Sequence, residues 1–143
     1  MRIEKNFELL PNIKSAGIIL RPSSPELKEI YLKIKELFQK ADIEILLEDN
    51  SANMISLKGI PLNDLCRKVD FLISVGGDGT LLSVVRKSFK YDKPVLGINL
   101  GTLGFLTDIS MEQLPSFIKD LKNNIYKIDN RMMVEGSVNL NKF

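Results

Sequence analysis

Histidine is absent from this 143-residue sequence, and its absence restricts the possible chemistry more than any other feature of the composition. Without an imidazole, the chain contains no Ser-His-Asp or Cys-His triad and no histidine metal ligand. The single cysteine, Cys66, excludes an internal disulfide and a zinc site built from several thiolates. We expect Cys66 to be a small buried side chain. Acid-base chemistry therefore has to come from carboxylates, lysine or tyrosine.

Strong net charge and long apolar runs are also missing. The 20 Lys and Arg residues nearly balance the 18 Asp and Glu residues, and the net charge of +2 does not by itself indicate a nucleic-acid partner. The apolar runs are far shorter than the roughly 20 residues that span a bilayer. The amino terminus, MRIEKNFELL, contains acidic side chains and does not fit a signal peptide. We therefore expect a cytoplasmic protein with no membrane or nucleic-acid partner.

Short apolar runs, rich in β-branched residues, predict four buried strands. They are AGIIL at 16–20, IEILL at 43–47, FLISV at 71–75 and PVLGI at 94–98. Helical patterns lie between these runs, and the alternation favours an α/β fold, a Rossmann-like parallel sheet with helices on both faces and right-handed crossovers. Ligands bind such sheets at the carboxyl ends of the strands.

Capping residues and apolar faces indicate two helices. Ser-Pro-Glu at 24–26 supplies a cap, a proline at the first helical position and an acid, and the amphipathic helix that follows is expected to end near Ala41. The capping box Ser-Met-Glu-Gln at 110–113 begins the second helix. The polar residues 48–68 predict a loop with at most one helical turn.

The segment Gly-Gly-Asp-Gly-Thr at 76–80 directly follows the third predicted strand and matches neither common phosphate motif. A Walker motif needs a Gly-Lys pair, which is absent, and the dinucleotide fingerprint needs a third glycine where this chain has Leu82. Glycines nevertheless allow backbone N–H groups to approach phosphate, and a following helix adds its dipole. Gly76, Gly77 and Thr80 are therefore candidate phosphate-binding residues.

Asp78 is the unexpected residue of this turn. A carboxylate repels phosphate unless a metal ion lies between them or the carboxylate faces a hydroxyl group. In phosphoryl transfer an aspartate commonly orients or deprotonates the attacking hydroxyl, and a loose transition state requires little base strength. Asp78 is thus a candidate catalytic residue. The alternatives are a purely structural turn and a non-catalytic nucleotide-binding module in which Asp78 binds a metal or caps the turn.

Two further stretches accompany VGGDGT at 75–80, namely LGIN at 96–99 and GTLGFLT at 101–107. Together the three resemble the amino-terminal half of bacterial NAD kinases, and the resemblance runs from about residue 14 to the last residue. The Gly-Gly-Asp-Gly core alone is shared with diacylglycerol, sphingosine and 6-phosphofructokinase-type kinases. A lipid kinase of the diacylglycerol type is therefore the alternative enzyme, and the second and third stretches favour NAD kinase.

The resemblance implies transfer of the γ-phosphoryl group of ATP to the 2′-hydroxyl of the adenosine ribose of NAD, with a divalent metal such as Mg²⁺. It implies that Asp78 accepts the proton of that hydroxyl, that Gly79 contacts NAD and that the ring of Phe105 lies against the adenine. Stacking of a ring on a base is physically reasonable. Asp78, Gly79 and Phe105 are thus the predicted NAD-binding residues, although without the resemblance a place in the core is equally expected for Phe105.

One position departs from the family pattern. Many members carry a basic residue five positions after the motif aspartate, where this chain has Ser83. Arg86, one helical turn further on, is the candidate substitute.

Two domains are expected, an α/β nucleotide-binding domain at 1–126 and the beginning of a carboxyl-terminal β domain at 127–143. Residues 131–140 alternate with the period of two that is typical of a strand. The resemblance places the Asn-Glu motif of the family in the following β domain. We therefore expect no kinase activity from these 143 residues alone and a homo-oligomer, a dimer or tetramer, for the full-length protein.

Overall fold

The computed structural model of the protein describes residues 2–6, 12–101, 104–126 and 128–131. Within these ranges the chain forms two sheets and a set of helices that alternate with the strands of the larger sheet. The strands are β1 (Arg2–Asn6), β2 (Ser15–Leu20), β3 (Glu44–Leu47), β4 (Phe71–Gly76), β5 (Val95–Asn99), β6 (Ile109–Ser110) and β7 (Ile128–Arg131). The α-helices are α1 (Lys28–Gln39), α2 (Asp49–Met54), α3 (Leu62–Lys68), α4 (Asp78–Ser88) and α5 (Leu114–Lys122).

The larger sheet has the strand order β3-β2-β4-β5-β6, and every neighbouring pair is parallel. The four predicted strands correspond to β2, β3, β4 and β5, so the predicted parallel α/β sheet is confirmed. In the register of the sheet, Val75 of β4 pairs with Leu20 of β2, and Gly76 pairs with Asn99 of β5. The carboxyl ends of these three strands therefore lie side by side.

Both faces of this sheet are covered by helices, because successive residues of the central strand β4 point to opposite sides. Ile73 packs in a core that includes Phe38 of α1 and Leu114 of α5. Leu72 packs in a second core with Val84 of α4. All six residues of β4 are buried, which is why this strand reads as a continuous apolar run. The prediction of helices on both faces is confirmed.

The two predicted helices form, but one of the expected caps does not. A single 3₁₀ turn, Pro25–Leu27, precedes α1, and Ser24 makes no side-chain hydrogen bond to it. The Ser24 hydroxyl instead donates to the carbonyl of Pro22 and accepts from Arg21. Ser24 therefore occupies the predicted N-cap position, but its hydroxyl does not form the capping hydrogen bond. The capping box at 110–113 is present, and it begins a 3₁₀ turn that continues into α5.

The prediction for residues 48–68 was wrong, because α2 and α3 both lie in this segment. Helix α2 begins at Asp49 and is capped by Glu48, whose buried carboxylate accepts hydrogen bonds from the N–H groups of Asn50, at 2.6 Å, and Ser51, at 3.0 Å. The polar residues of α2 have modest helix propensity. Capping by Glu48 and the burial of Ser51 and Ala52 stabilise the helix instead.

The smaller sheet consists of β1 and β7, which pair in antiparallel orientation with Asn6 opposite Ile128. The strand expected at 131–140 lies outside the described residues except for Arg131, the last residue of β7. The domain boundary between residues 126 and 127 stays a prediction. Among the helices that the structure describes, none combines the length and apolar character required to cross a membrane.

Candidate active site

The glycine-rich turn connects β4 directly to α4 at the carboxyl edge of the sheet. Gly76 ends the strand, Gly77 has extended backbone angles (φ −147°, ψ −160°) and Asp78 is the first residue of the 11-residue helix α4. The N–H of Leu100 donates to the carbonyl of Gly76 at 2.8 Å, which fixes the end of β4 beside the end of β5. The first N–H groups of α4 lack intrahelical acceptors and carry the positive end of the helix dipole. This is a suitable position for binding an anionic group.

The glycines of the turn differ in whether the surrounding protein requires them. A Cβ atom on Gly76 would lie 2.5 Å from the hydroxyl of Thr80, so contact with Thr80 explains the absence of a side chain there. No described heavy atom lies within 4 Å of a Cβ atom built on Gly77 or on Gly79, and neither residue has a left-handed φ angle. Packing against the described residues therefore does not explain these two glycines, and it leaves their backbone accessible to a ligand.

Thr80 is buried, with 9% of its surface exposed, and its hydroxyl faces Gly76. A phosphate contact from Thr80 would accordingly use its backbone N–H rather than its side chain.

Asp78 directs its carboxylate away from α4 toward the segment that connects β5 to β6. One oxygen, Oδ2, accepts a hydrogen bond from the N–H of Phe105 at 2.8 Å. The other, Oδ1, accepts from the N–H groups of Leu106 at 3.0 Å and Thr107 at 3.1 Å. Three consecutive backbone donors thus converge on one side chain, 27 to 29 residues away in the sequence.

Gly104 makes this approach possible. A Cβ atom at this position would lie 2.3 Å from Oδ1 of Asp78 and 2.5 Å from its carboxyl carbon. No side chain fits at that distance, so either the carboxylate or the loop would have to move. Gly104 is therefore required by the position of Asp78 and not by an unusual backbone conformation, because its φ angle lies outside the left-handed region.

Two buried polar side chains, those of Asn99 and Thr107, stabilise the segment that contains Phe105. The amide of Asn99, at the end of β5, donates to the hydroxyl of Thr107 at 2.9 Å, and both residues are buried. The Thr107 hydroxyl also interacts with the carboxylate of Asp78 and helps to lower its pKa. The side-chain oxygen of Asn99 accepts from the N–H of Gly101 at 2.8 Å. Asn99 is thus hydrogen-bonded to Gly101 and to Thr107, which precede and follow Phe105 in the chain.

The pKa of the Asp78 carboxyl reflects these contacts. Desolvation acts to raise the pKa, but the backbone hydrogen bonds from Phe105, Leu106 and Thr107, with the Thr107 hydroxyl, outweigh it and lower the pKa below the usual value. Asp78 is therefore ionised at neutral pH. It is available as a hydrogen-bond acceptor, and its basicity is reduced.

Phe105 is fully exposed, with its backbone N–H bound to Asp78. The interpretation of Phe105 as a core aromatic is therefore wrong. A large aromatic side chain in full contact with solvent is unusual and is a frequent feature of binding surfaces.

The candidate substitute for the missing basic residue lies far from the turn. Arg86 is in the last turn of α4, about 12 Å along the helix axis from Asp78. Arg21, at the carboxyl end of β2, is nearer, because its Cβ atom lies 3.1 Å from the position that a Cβ atom would occupy on Gly76. Its guanidinium group is exposed and bonds Ser24 at 2.8 Å. Arg21 lies outside the motifs of the sequence, so its position beside the turn was not predicted.

Side chains that could bind a divalent metal are not grouped together in the described part of the chain. The described residues contain no group of three or more acidic or thiol side chains that could hold an ion, and both oxygens of Asp78 already accept hydrogen bonds. Magnesium is commonly held by substrate phosphates and water with few protein ligands. The expected requirement for Mg²⁺ therefore stays a prediction.

Comparison with known proteins identifies the family of this chain. Residues 16–126 match the ATP-NAD kinase N-terminal domain. The NAD kinase of Sulfurimonas denitrificans is 52% identical over 126 residues, which cover 88% of this chain and 44% of that protein. The NAD kinase of Wolinella succinogenes is 48% identical over 129 residues, covering 90% of this chain and 44% of that protein.

Similarity to a solved structure supports the fold. The crystal structure of yeast NADH kinase complexed with NADH matches 85% of this chain and 41% of its own, with a TM-score of 0.69 and 22% identity. The chain thus spans less than half the length of the relatives that it matches. The resemblance first indicated by three short motifs is confirmed, and the chain belongs to the ATP-NAD kinase family, in which it corresponds to the N-terminal domain.

Proposed function

We propose that this chain forms the α/β half of an NAD kinase that transfers the γ-phosphoryl group of ATP to the 2′-hydroxyl of the adenosine ribose of NAD. Family membership and the names of the curated relatives support the proposal. The observation that carries it in this structure is the arrangement around Asp78. An ionised carboxylate lies between two glycines that packing does not require, and it is bonded to the backbone of a fully exposed phenylalanine.

Each of these features has a role in the proposed reaction. The open backbone of Gly77 and Gly79 at the start of α4 approaches phosphate or ribose groups, and the ring of Phe105 stacks on the adenine. Arg21 supplies positive charge beside the turn. Mg²⁺, held by the phosphates of the donor, would neutralise charge during transfer.

Asp78 orients the ribose hydroxyl and accepts its proton. A carboxylate offers about four acceptor positions, and three backbone N–H groups use three of them in this structure. The substrate hydroxyl can therefore use the remaining position while the backbone bonds stay in place. The reduced basicity of Asp78 is compatible with the reaction, because a loose phosphoryl-transfer transition state leaves the proton on the hydroxyl until late.

A coupled assay for NADP formation from NAD and ATP, with the complete gene product, tests the proposed function. We expect NADP formation that depends on both substrates. Phosphorylation of diacylglycerol without NADP formation would favour the lipid kinase, and NAD binding without turnover would favour a non-catalytic module. Replacing ATP with polyphosphate in the same assay determines the phosphoryl donor.

We also propose that the complete protein is a cytoplasmic homo-oligomer, a dimer or tetramer, that requires Mg²⁺. Light scattering coupled to size-exclusion chromatography measures the oligomeric state. Loss of activity with EDTA, restored by added Mg²⁺, is the expected result for the metal, and full activity in EDTA would contradict it.

A further inference from the structure

The carboxylate of Asp78 also fixes the position of a neighbouring loop, the segment that contains Phe105, Leu106 and Thr107. We use the name Asp78 cluster for this carboxylate with the N–H groups of Phe105, Leu106 and Thr107 and the hydroxyl of Thr107. Consecutive N–H groups that point to one anion form a stable concave arrangement, and the protein's own side chain supplies the anion here. These bonds join the first residue of α4 to a segment that is neither helix nor strand.

The two ends of this segment are anchored differently. At its carboxyl-terminal end, the N–H of Asp108 donates to the carbonyl of Gly97 at 2.9 Å, and the carboxylate of Asp108 accepts from the N–H of Gly97 at 2.8 Å. These bonds attach the end of the segment to β5. The described hydrogen bonds of the Phe105 and Leu106 N–H groups go to Asp78. The position of Phe105 therefore depends on Asp78 and on the close approach that Gly104 permits.

We propose that Asp78 is also a positioning residue, which holds the loop so that the ring of Phe105 faces the nucleotide, and that Gly104 and Thr107 are positioning residues for NAD through the Asp78 cluster. The contribution to NAD binding rests on the proposed function. The contribution to loop structure does not, because it follows from the hydrogen bonds alone.

Two substitutions disturb the cluster while leaving Asp78 in place. Gly104→Ala adds a Cβ atom that would lie 2.3 Å from Oδ1 of Asp78, so the carboxylate and the loop must separate. Thr107→Val removes the hydroxyl, which accepts a hydrogen bond from Asn99 and helps to lower the pKa of Asp78. Thr107→Ser keeps the hydroxyl and is the matched control for that change. Gly101→Ala is the control for adding a methyl group nearby, because its Cβ atom would meet no described atom within 4 Å.

Amide hydrogen exchange at residues 105–107 of the complete gene product is the first measurement. We expect Gly104→Ala to accelerate exchange about tenfold or more, and Thr107→Val to accelerate it by a smaller factor. Thr107→Ser and Gly101→Ala should exchange at the wild-type rate. Wild-type exchange in both Gly104→Ala and Thr107→Val would overturn the proposal. If Gly104→Ala fails to fold, the comparison of Thr107→Val with Thr107→Ser decides.

Kinetics and calorimetry with NAD are the second measurement. We expect Gly104→Ala and Thr107→Val to raise the KM and the dissociation constant for NAD about tenfold, within the range that base stacking contributes, with the KM for ATP changed less than about twofold. Thr107→Ser should restore the wild-type KM for NAD. Faster exchange with unchanged NAD affinity would overturn the positioning role. A wild-type protein that binds NAD but forms no NADP would contradict the proposed function, while exchange and affinity would still decide the role of the cluster.

Discussion

Replacing Asp78 by asparagine separates its structural contribution from its proposed chemical one. If the amide oxygen takes the place of Oδ1, it still accepts from Leu106 and Thr107, but the amide NH₂ then faces the N–H of Phe105. One hydrogen bond is lost, and the negative charge at the start of α4 disappears. A bond to a charged acceptor contributes about 1.5 to 3 kcal/mol, and a charge at a helix terminus about 0.3 to 1 kcal/mol. Because Asp78 is only partly buried, we expect the free energy of unfolding to fall by about 1 to 3 kcal/mol.

The expected loss of turnover is larger. General-base catalysis contributes about 10²- to 10⁴-fold, which corresponds to roughly 3 to 5 kcal/mol of activation free energy. Asp78→Asn in the complete gene product should therefore lower kcat by two orders of magnitude or more while the protein remains folded. Urea unfolding and the NADP assay on the same preparation measure the two effects.

Asp70 provides a matched control, because its carboxylate accepts hydrogen bonds from the N–H groups of Lys14 at 2.7 Å and Ser15 at 3.1 Å. It precedes β4 and so lies at the opposite edge of the sheet from Asp78. Both bonds go to Oδ2, so an asparagine oxygen could keep them and the control substitution is Asp70→Ala. Asp70→Ala should lower stability to a similar extent and leave kcat near the wild-type value. Near-normal turnover in Asp78→Asn would refute the base assignment. An equal loss of turnover in Asp70→Ala would show that reduced stability explains both results.

Three further predictions concern the same surface. Phe105→Ala should weaken NAD binding by about 1 to 3 kcal/mol, measured by calorimetry, because it removes the stacking ring, and unchanged affinity would argue against stacking. Gly79→Ala should leave the free energy of unfolding unchanged or raise it by up to about 1 kcal/mol, since alanine favours a helix, yet it should weaken NAD binding. Wild-type NAD affinity in Gly79→Ala would contradict the proposed approach of the ligand. The third prediction follows from the lowered pKa of Asp78, whose stabilising contribution is present above the unfolded-state value of about 3.9 and is lost as the pH falls through the lower folded-state value. The difference in unfolding free energy between wild type and Asp78→Asn should therefore shrink below about pH 4, and a difference that stays constant from pH 7 to pH 3 would contradict this reasoning.

The parallel sheet was predictable because its strands are buried on both faces and so consist of β-branched apolar runs, as in β4. Helix α2 was not predictable from the sequence, because local helix propensity contributes little to its stability. Its cap is a glutamate, a residue type outside the usual N-cap preferences, and its stability depends on burial of Ser51, which also accepts a hydrogen bond from the N–H of Leu20 at 2.8 Å. Contacts between residues this distant in the sequence leave no periodic pattern.

The location of the candidate site was also predictable, because a glycine-rich turn after a buried strand has to lie at the carboxyl edge of a parallel sheet. The cluster around Asp78 was not predictable from spacing, since it joins α4 to a segment 27 to 29 residues further along. The stretch at 101–107 contained a usable signal, because Gly104 precedes Phe105 and Thr107 lies two residues after it, shortly after the buried strand β5. Their roles became clear only when the distances to Asp78 were known.

The glycines illustrate why sequence alone could not separate structural from functional positions. Gly76 and Gly104 are explained by protein contacts, with the hydroxyl of Thr80 in one case and the carboxylate of Asp78 in the other. Gly77 and Gly79 have no such neighbour among the described residues, so the space beside them is available to a ligand from outside the described fold. In the sequence, three of these glycines surround Asp78 and the fourth is in a separate stretch, and nothing distinguishes their roles. Because a functional glycine is identified by the lack of a structural reason for it, the packing around each position has to be known before the ligand-facing side of the turn can be assigned.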